Sequence, residues 1–465
     1  MAGYHVPLTS KHFETHQEHF SIPSGTDLLK WVSACHYLIA MLDMSIFRDE
    51  PDVIRADHDR RGIPHDPIDE VIRLDEEWRK SQYEVDQLRR KRNEAARGIA
   101  EAKKSGDSDA VGRILNEVSD IGSQIDELTA HSDECLSQRD SIRMGIPNIL
   151  HPEVPIGEDD QKNTLHSLHG EKVGFEFEPR NHNELIEMNG WVDQSRGAKV
   201  AGSRFYFLKG DLARMEMALQ QYGADFLMKR GYTLVQPPLM MNREAYEGVT
   251  DLSDFETVMY GIEPDKYYLI ATSEHPLTAM RMDEVIEPSE LPIKMVGISP
   301  CFRREVGAHG LSDRGIWRVH QFTKVEQIVI CDPENSWEHH DDLLTNAVDM
   351  WDNLDLHYRV VNICTGDMGT VAARKYDLEA WLPGASSYKE VVSCSNCTDY
   401  QANRLRMRYR TADGNSPVHT LNSTAIATSR ALVAIMEQNQ LEDGRVSIPE
   451  ALRPYMGGND VLCPV

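Results

Sequence analysis

No run of this 465-residue chain approaches the roughly 20 apolar residues needed to cross a bilayer. Its most apolar early segment, LLKWVSACHYLIAML at 28–42, is interrupted by Lys30 and His36. Neither a basic leader nor a small-residue cleavage site flanks it, so no signal peptide is read and a soluble protein is expected. Positive charge is scarce as well: 49 Lys and Arg against 75 Asp and Glu leave a net charge of −26. That sign excludes non-specific nucleic-acid binding over the whole surface and confines any such partner to a local basic patch. The eight cysteines are scattered and show no small-domain framework, which points to a reducing, cytoplasmic setting. Cys394 and Cys397 form a lone CxxC with no second pair to complete a zinc site, so zinc is not expected. GxxxxGK(S/T) is missing, as is GxGxxG after a strand, so a nucleotide site would have to be assembled from side chains on strands.

Helical periodicity is strongest between 71 and 142. Val71, Leu74, Trp78, Ser81, Val85, Leu88, Arg92, Ala95, Ile99 and Ala102 step by three and four. After Ser105, Gly106 and Asp107 the pattern returns from Val111 through Ile114, Val118, Ile121, Ile125, Leu128, Ser132, Cys135 and Arg139 to Ile142. Such a seam predicts a coiled coil, and the short polar turn predicts an antiparallel hairpin over 68–145 with helices of roughly 50 Å. The usual role of that pattern is dimerisation. Here, however, nine Lys or Arg face four acids between Arg79 and Lys104, including Arg89, Arg90, Lys91 and Arg92. A basic patch towards the tip of an arm suits a phosphate backbone. Pro147 and Pro152 end the second helix and mark a linker.

From about Gly157 onward helical and alternating patterns mix without a βαβ rhythm, which predicts an α+β domain on a mostly antiparallel sheet. Residues 293–298 and Val235 read as strands, and 212–229 and 425–438 as helices. The densest cluster is CFRREVGAHGLSDRGIWRVHQFTKVE at 301–326, two strand-like runs (298–303 and 319–330) around a charged loop containing Gly307, Gly310, Arg314 and Gly315. Guanidiniums fixed on paired strands offer rigid forks to a polyphosphate; a solvated basic hairpin is the other reading. Thr272, Ser273 and Glu274 follow YYLIA, and Glu390 and Ser393 stand three apart in YKEVVSCSN. TLNSTAIATSR at 420–430 leads into a helix with Arg430. Singly, each of these is also an ordinary cap, surface acid or helix residue.

In this order the segments RFYFLKGDLARME (204–216), TSEHPL (272–277), CFRRE to KVE (301–326), KYDLEAWLP (375–383) and EVVSCSNCTDYQANR (390–404) resemble the class II aminoacyl-tRNA synthetases, and among them the seryl-tRNA synthetase family. The resemblance runs from about Met41 to the end. It implies a 41–150 tRNA-binding domain with the coiled-coil arm and a 151–465 class II catalytic domain. It also implies a homodimer, and activation of L-serine by ATP with Mg2+ before transfer to tRNA(Ser), with tRNA(Sec) left open as a further acceptor.

By the same resemblance, catalysis falls to Arg303, Glu390 and Arg430. ATP is held by Arg303, Arg304, Glu305, Val319, His320, Gln321, Phe322, Glu390, Val391, Val392, Ser393 and Arg430. Within that set, Arg303 is expected on the α-phosphate, Glu305 on the adenine amino group, Phe322 against the base and Arg430 on the distal phosphate. Glu390 and Ser393 are the expected Mg2+ contacts. Serine is assigned to Thr272, Ser273, Glu274, Arg303, Glu326, Asn422 and Thr424, and the tRNA backbone to Arg89, Arg90, Lys91 and Arg92.

Ser423, Ala425 and Ser429 stand where the bacterial pattern is glycine-rich, which places the chain on the archaeal and eukaryotic side and leaves the serine contacts at 422–424 open. Family members begin near Met41, so residues 1–40 read as a misassigned start, with a lineage extension as the alternative. A synthetase-like protein charging a non-tRNA acceptor is the second functional reading; the retained arm speaks against it. A coiled-coil scaffold is the third, and has no need of Arg303, Glu305, Glu326, Glu390 and Arg430 together.

Overall fold

The structure is a computed structural model that describes residues 42–250, 257–305 and 315–465. Met41 and the segment before it lie outside the described residues, as do Gly307, Gly310 and Arg314. Among the described residues no helix is long and apolar enough to cross a membrane.

Two short helices, α1 (Met44–Asp49) and α2 (Pro51–Arg61), lead into the arm. Its first helix, α3 (Asp66–Ser105), has 40 residues and so extends about 60 Å. Gly106, at φ 77°, takes the left-handed conformation that ends it, and Asp107 caps the next helix by accepting from Ala110 N at 2.9 Å. The single return helix expected from the periodicity is in fact two, α4 (Ser108–Glu117) and α5 (Ile121–Met144). Ser119 and Asp120 make the break, because short polar side chains compete for helix hydrogen bonds. Ser119 Oγ donates to Asp120 Oδ1 at 3.1 Å.

The seam closes antiparallel. Val85 packs with Ile121 and Ile125, and Gln82 Nε2 donates to Ser132 Oγ at 2.6 Å. At the base of the arm Asp75, only 1% exposed, holds Arg48, Arg79 and Arg139 at 2.8, 2.9 and 2.7 Å. Burial pushes the Asp75 carboxyl up, but Arg48 and Arg139 outweigh it and hold it below the ordinary range. A depressed folded-state value contributes stability that is present above the unfolded value near 3.9 and lost as pH falls through the folded one. Asp75→Asn removes the carboxylate shared by three guanidiniums and leaves the buried Arg139 with Asp140, at 2.8 Å, as its remaining counter-charge. The expected cost is therefore about 3 kcal/mol, the low end for a broken buried pair. The check is a thermal melt at neutral pH, in which an unchanged midpoint would remove Asp75 as the anchor.

Beyond α5 the linker is tied to the catalytic domain. Asn148 N donates to Thr370 O at 2.8 Å and its Nδ2 to Val371 O at 2.9 Å and Cys397 O at 2.8 Å. The wholly buried Arg404 reaches Met144 O at 2.7 Å and Thr250 O at 2.9 Å.

The centre of the catalytic domain is an eight-stranded sheet. In chain order its strands are β1 (Thr164–His169), β2 (Thr233–Val235), β3 (Ile293–Phe302), β4 (Gln321–Cys331), β5 (Tyr358–Asn362), β6 (Arg374–Leu382), β7 (Ser387–Asn396) and β8 (His419–Ala427). Their order across the sheet is β1-β5-β6-β7-β8-β4-β3-β2, antiparallel throughout except for the β2–β3 edge. The helices α6 (Gly210–Met228), α7 (Ser336–Asp352) and α8 (Thr428–Gln438) pack against it. Residues 425–427, read from sequence as helix, belong to β8, since a buried apolar run suits a central strand equally well.

Strand alternation then divides β4. Val325 and Val329 point into the core shared with the helices, while Lys324 and Glu326 take the opposite face with Ile328 and Ile330.

Candidate active site

On that opposite face lies a cavity of about 350 Å³. It forms where β7 and β8 part. Their ladder ends at the Cys394–Ser423 pair, and beyond it Glu390 and Ser393 of one strand face Thr424 and Ala427 of the other across open space. Each strand carries one extra residue here. Leu378 pairs with Val392 and Glu379 with Glu390, so Val391 is a bulge; Val325 pairs with Ile426 and Glu326 with Thr424, so Ala425 is another. A bulge reverses the side-chain alternation and bends the strand, so residues three apart come to share a face.

One end of the cavity is carboxylate-lined. Glu274 Oε1 accepts from Asn422 Nδ2 at 3.0 Å and from Gln401 Nε2 at 3.1 Å. Thr272 Oγ1 accepts from Glu274 N at 3.1 Å, fixing the turn that presents the acid. Gly297 makes room for that segment: a Cβ there would lie 2.6 Å from Leu277 Cδ1 and 3.0 Å from Ser273 Cβ. Glu326 is 1% exposed and pairs with Lys324 Nζ at 2.6 Å. Burial and the Glu326 charge push the Glu274 carboxyl up to about 7, and burial raises Glu326 despite the opposing pull of Lys324. Lys324 already answers the Glu326 charge, so the carboxylate this end offers to an ammonium is Glu274, whose Oε1 accepts from two neutral amides.

The other end carries guanidiniums. Arg303 Nε donates to Ala271 O at 3.3 Å, and its guanidinium lies 5.4 Å from the centre of the Phe322 ring. Arg430 bridges the parted strands, donating from Nη1 to Glu390 O at 2.9 Å and sitting 3.2 Å from Glu390 Oε1, with its fork 5.4 Å from the Trp317 ring. Enclosure by the walls pushes the Glu390 carboxyl up, but Arg430, Lys375 and Arg303 outweigh it, and the group is held below its usual range. The Glu390 side chain is 47% exposed and shares the cavity wall with Ser393. A carboxylate and a hydroxyl at an open mouth are hard oxygen donors of the kind Mg2+ accepts while keeping waters and phosphate oxygens.

Eleven of the residues singled out from sequence line this one cavity: Thr272, Glu274, Arg303, Phe322, Glu326, Glu390, Val391, Ser393, Asn422, Thr424 and Arg430. Others are placed differently. The Ser273, Val319 and Val392 side chains are buried away from it, Ser273 against Gly297 and both valines in the helix-side core. Alternation accounts for Val392, whose neighbours Val391 and Ser393 reach the cavity. Arg304 and Gln321 are exposed outside it. Glu305 accepts from Arg318 Nη1 at 3.3 Å and sits at a strained φ of 44°. His320 Nδ1 lies 2.8 Å from Arg303 O and 3.0 Å from Tyr260 OH, so it supports the backbone that carries Arg303. On the arm, Arg89, Arg90, Lys91 and Arg92 are all exposed.

Several cavity residues escape the motif reading. Lys324 and Lys375 line the cavity, as does the loop from Met368 to Ala372 that Asn148 holds. The signal was present for the lysines: each stands two residues before an acid on a strand, in TKVE and KYD, hence on the same face as that acid. Cys394 and Cys397 are engaged separately, Cys397 Sγ accepting from Asn422 Nδ2 at 3.6 Å and Cys394 Sγ donating to His340 O at 3.9 Å.

Comparison with known proteins agrees with this geometry. Residues 41–150 match the family of the seryl-tRNA synthetase N-terminal domain, and residues 258–439 that of the tRNA synthetase class II core domain (G, H, P, S and T). A serine–tRNA ligase of Methanocella arvoryzae is 52% identical over 427 residues, spanning 91% of this chain and 100% of its own length. The seryl-tRNA synthetase of Pyrococcus horikoshii, solved with ATP, matches at a TM-score of 0.86 and 42% identity, over 91% of this chain and 100% of that one. The cytoplasmic serine–tRNA ligase of Naegleria fowleri, solved with AMP, matches at 0.82 and 35% identity, over 91% and 99%. With two characteristic domains in tandem and half of its residues shared with a full-length relative, the chain belongs to the seryl-tRNA synthetase family of class II aminoacyl-tRNA ligases.

Proposed function

We propose that this cavity joins L-serine to ATP as seryl-adenylate and then passes the seryl group to the 3′ end of tRNA(Ser). The observation that carries the reading is the division of one cavity into a carboxylate end, Glu274 and Glu326, and a guanidinium end, Arg303 and Arg430. The first accepts the serine ammonium, and Thr272, Asn422 and Thr424 complete its rim. The second accepts the triphosphate. Serine held between them has its carboxylate directed at the α-phosphorus, and attack there displaces pyrophosphate. Arg303 neutralises charge developing on the α-phosphate oxygens, Arg430 binds the distal phosphate, and Phe322 offers a ring face to the adenine. Such transfers depend on position and charge rather than on proton exchange. Glu390 and Ser393 would hold Mg2+, which supplies charge neutralisation across the phosphates when bound. The working unit is a homodimer in which the arm of one subunit reaches tRNA held by the other.

ATP–pyrophosphate exchange with a panel of amino acids tests the first step, and exchange that depends on serine is the expected result. Its absence from well-folded protein would sink the reading. For the arm, reversing the charge of Arg89, Arg90, Lys91 and Arg92 to glutamate is expected to raise the KM for tRNA at least about tenfold. Each lost phosphate contact should lower the salt slope by roughly 0.7–0.9. Pyrophosphate exchange, which needs no tRNA, should be unchanged. An unaltered KM would detach the arm from tRNA.

A further inference from the structure

At the lower part of the arm, three potential metal ligands converge in a region remote in sequence from every motif of the catalytic cavity. Glu77 projects from α3, and His131 and Cys135 from α5, with their ligand atoms all within 4.8 Å of one another. His131 and Cys135 are four apart, the spacing that sets two side chains one above the other on a helix face. Cys135 Sγ lies 3.7 Å from His131 Nε2 and 3.9 Å from Glu77 Oε2. Tetrahedral zinc, with bonds of about 2.3 Å to sulfur and 2.0–2.1 Å to nitrogen, requires those two atoms about 3.6 Å apart. The sulfur–nitrogen separation is therefore already that of a coordination shell. Because the sulfur lies at 3.7 Å from Nε2 and 3.9 Å from Nδ1, a turn of the exposed imidazole aims one nitrogen at the ion, and the Glu77 carboxylate closes on it from within the 4.8 Å cluster.

We propose that Glu77, His131 and Cys135 bind a thiophilic divalent cation of the zinc class, which staples the two long helices of the arm. One acid, one imidazole and one thiolate fit that class and suit neither Mg2+ nor Ca2+, which take oxygen. The surrounding bonds prepare the site. Arg73 Nη1 donates to Glu77 Oε1 at 2.7 Å and leaves Oε2 turned to the thiol, the outer-shell support that orients a ligating carboxylate. Arg73 is itself held by Glu70 at 2.6 Å. On either side, Asp75 with Arg139 and Gln82 with Ser132 lock the register of the two helices, so coordination need not order the backbone. His131 is exposed and gives the ion a way in, while Cys135, at 3% exposure, is shielded. Three protein ligands leave a fourth position for water.

The test is a competition titration of the full-length, reduced and metal-stripped protein against a chromophoric chelator, using zinc, with cobalt as the spectroscopic probe. The wild-type chain is expected to take up one equivalent of zinc at this site. Cobalt should give a thiolate charge-transfer band in the near ultraviolet. His131→Ala and Cys135→Ser should each lower affinity by more than the roughly 10–100-fold typical of outer-shell losses and abolish the band. Zinc should also raise the melting temperature of wild type and of neither variant. His131 is exposed, so its variant folds even if Cys135→Ser does not, and the comparison stands on it alone. Failure of the wild type to compete for zinc would overturn the proposal. Zinc uptake and a cobalt band that persist in His131→Ala would also overturn it, by placing the ion elsewhere.

Discussion

Replacing Arg303 with alanine is expected to lower serine-dependent ATP–pyrophosphate exchange by about 10³-fold or more. The guanidinium is half-buried, tethered to Ala271 O at 3.3 Å and seated on the Phe322 ring, so in the proposed role it would meet a triphosphate with little motion left to lose. A preorganised donor aimed at charge that develops in the transition state is worth about 10²–10³ in kcat, and an arginine on a transferring phosphoryl group 10³–10⁵. Both figures refer to differential stabilisation, so kcat should fall further than the KM for ATP rises. Arg303→Lys should recover only part of the loss, because an ammonium cannot reproduce the fork. Steady-state exchange over a range of ATP concentrations makes the distinction, with circular dichroism to confirm folding. Full exchange from the alanine variant would refute the assignment.

The second large effect is expected at the carboxylate end. Glu274→Gln keeps shape and volume but removes the buried charge that the proposed function sets against the serine ammonium. Truncating one partner of such a pair costs about 2–5 kcal/mol, roughly 30-fold to several thousand-fold in kcat/KM for serine. The pH profile provides a sharper signature. Because burial and the Glu326 charge push Glu274 up to about 7, the group is protonated below that pH in the free cavity. The ammonium needs the ionised form, so kcat/KM for serine should decline about tenfold per unit as pH falls below about 7 and level off above it. In the Glu274→Gln variant that inflection should vanish and leave a flat, low profile. A wild-type profile with no inflection between pH 5 and 8 would show that the carboxylate does not meet the ammonium directly.

Much of this molecule is legible along the chain because its determinants are local. The stepping of Val71, Leu74, Val85, Ile121 and Ile125 is a property of neighbouring turns, and it set the seam of the arm. Strand alternation likewise makes Lys324 and Glu326 share a face, since a period of two needs no knowledge of the partner strand. The break at Ser119 and Asp120 was also within reach, as both residues favour caps over helix interiors.

The chemistry of Glu390 with Ser393, and of Thr424 with Ala427, is different. Residues three apart on a strand should face opposite sides, and only the extra residues Val391 and Ala425 bring each pair to the cavity. A bulge exists only relative to the register of the opposing strand. Ala425 is defined against β4, far earlier in the chain, and even Val391, whose partner β6 adjoins β7 through residues 383–386, is set by the pairing and not by the local pattern. The parting of β7 from β8 that opens the cavity, and the meeting of Glu77 with His131 and Cys135 across the arm, are non-local in the same way. By itself the sequence determined which residues could do the chemistry, the period of the arm's helices and the family to which the chain belongs. The tertiary structure decided which of those residues meet, because register and strand separation arise from pairing between distant segments rather than from any one of them.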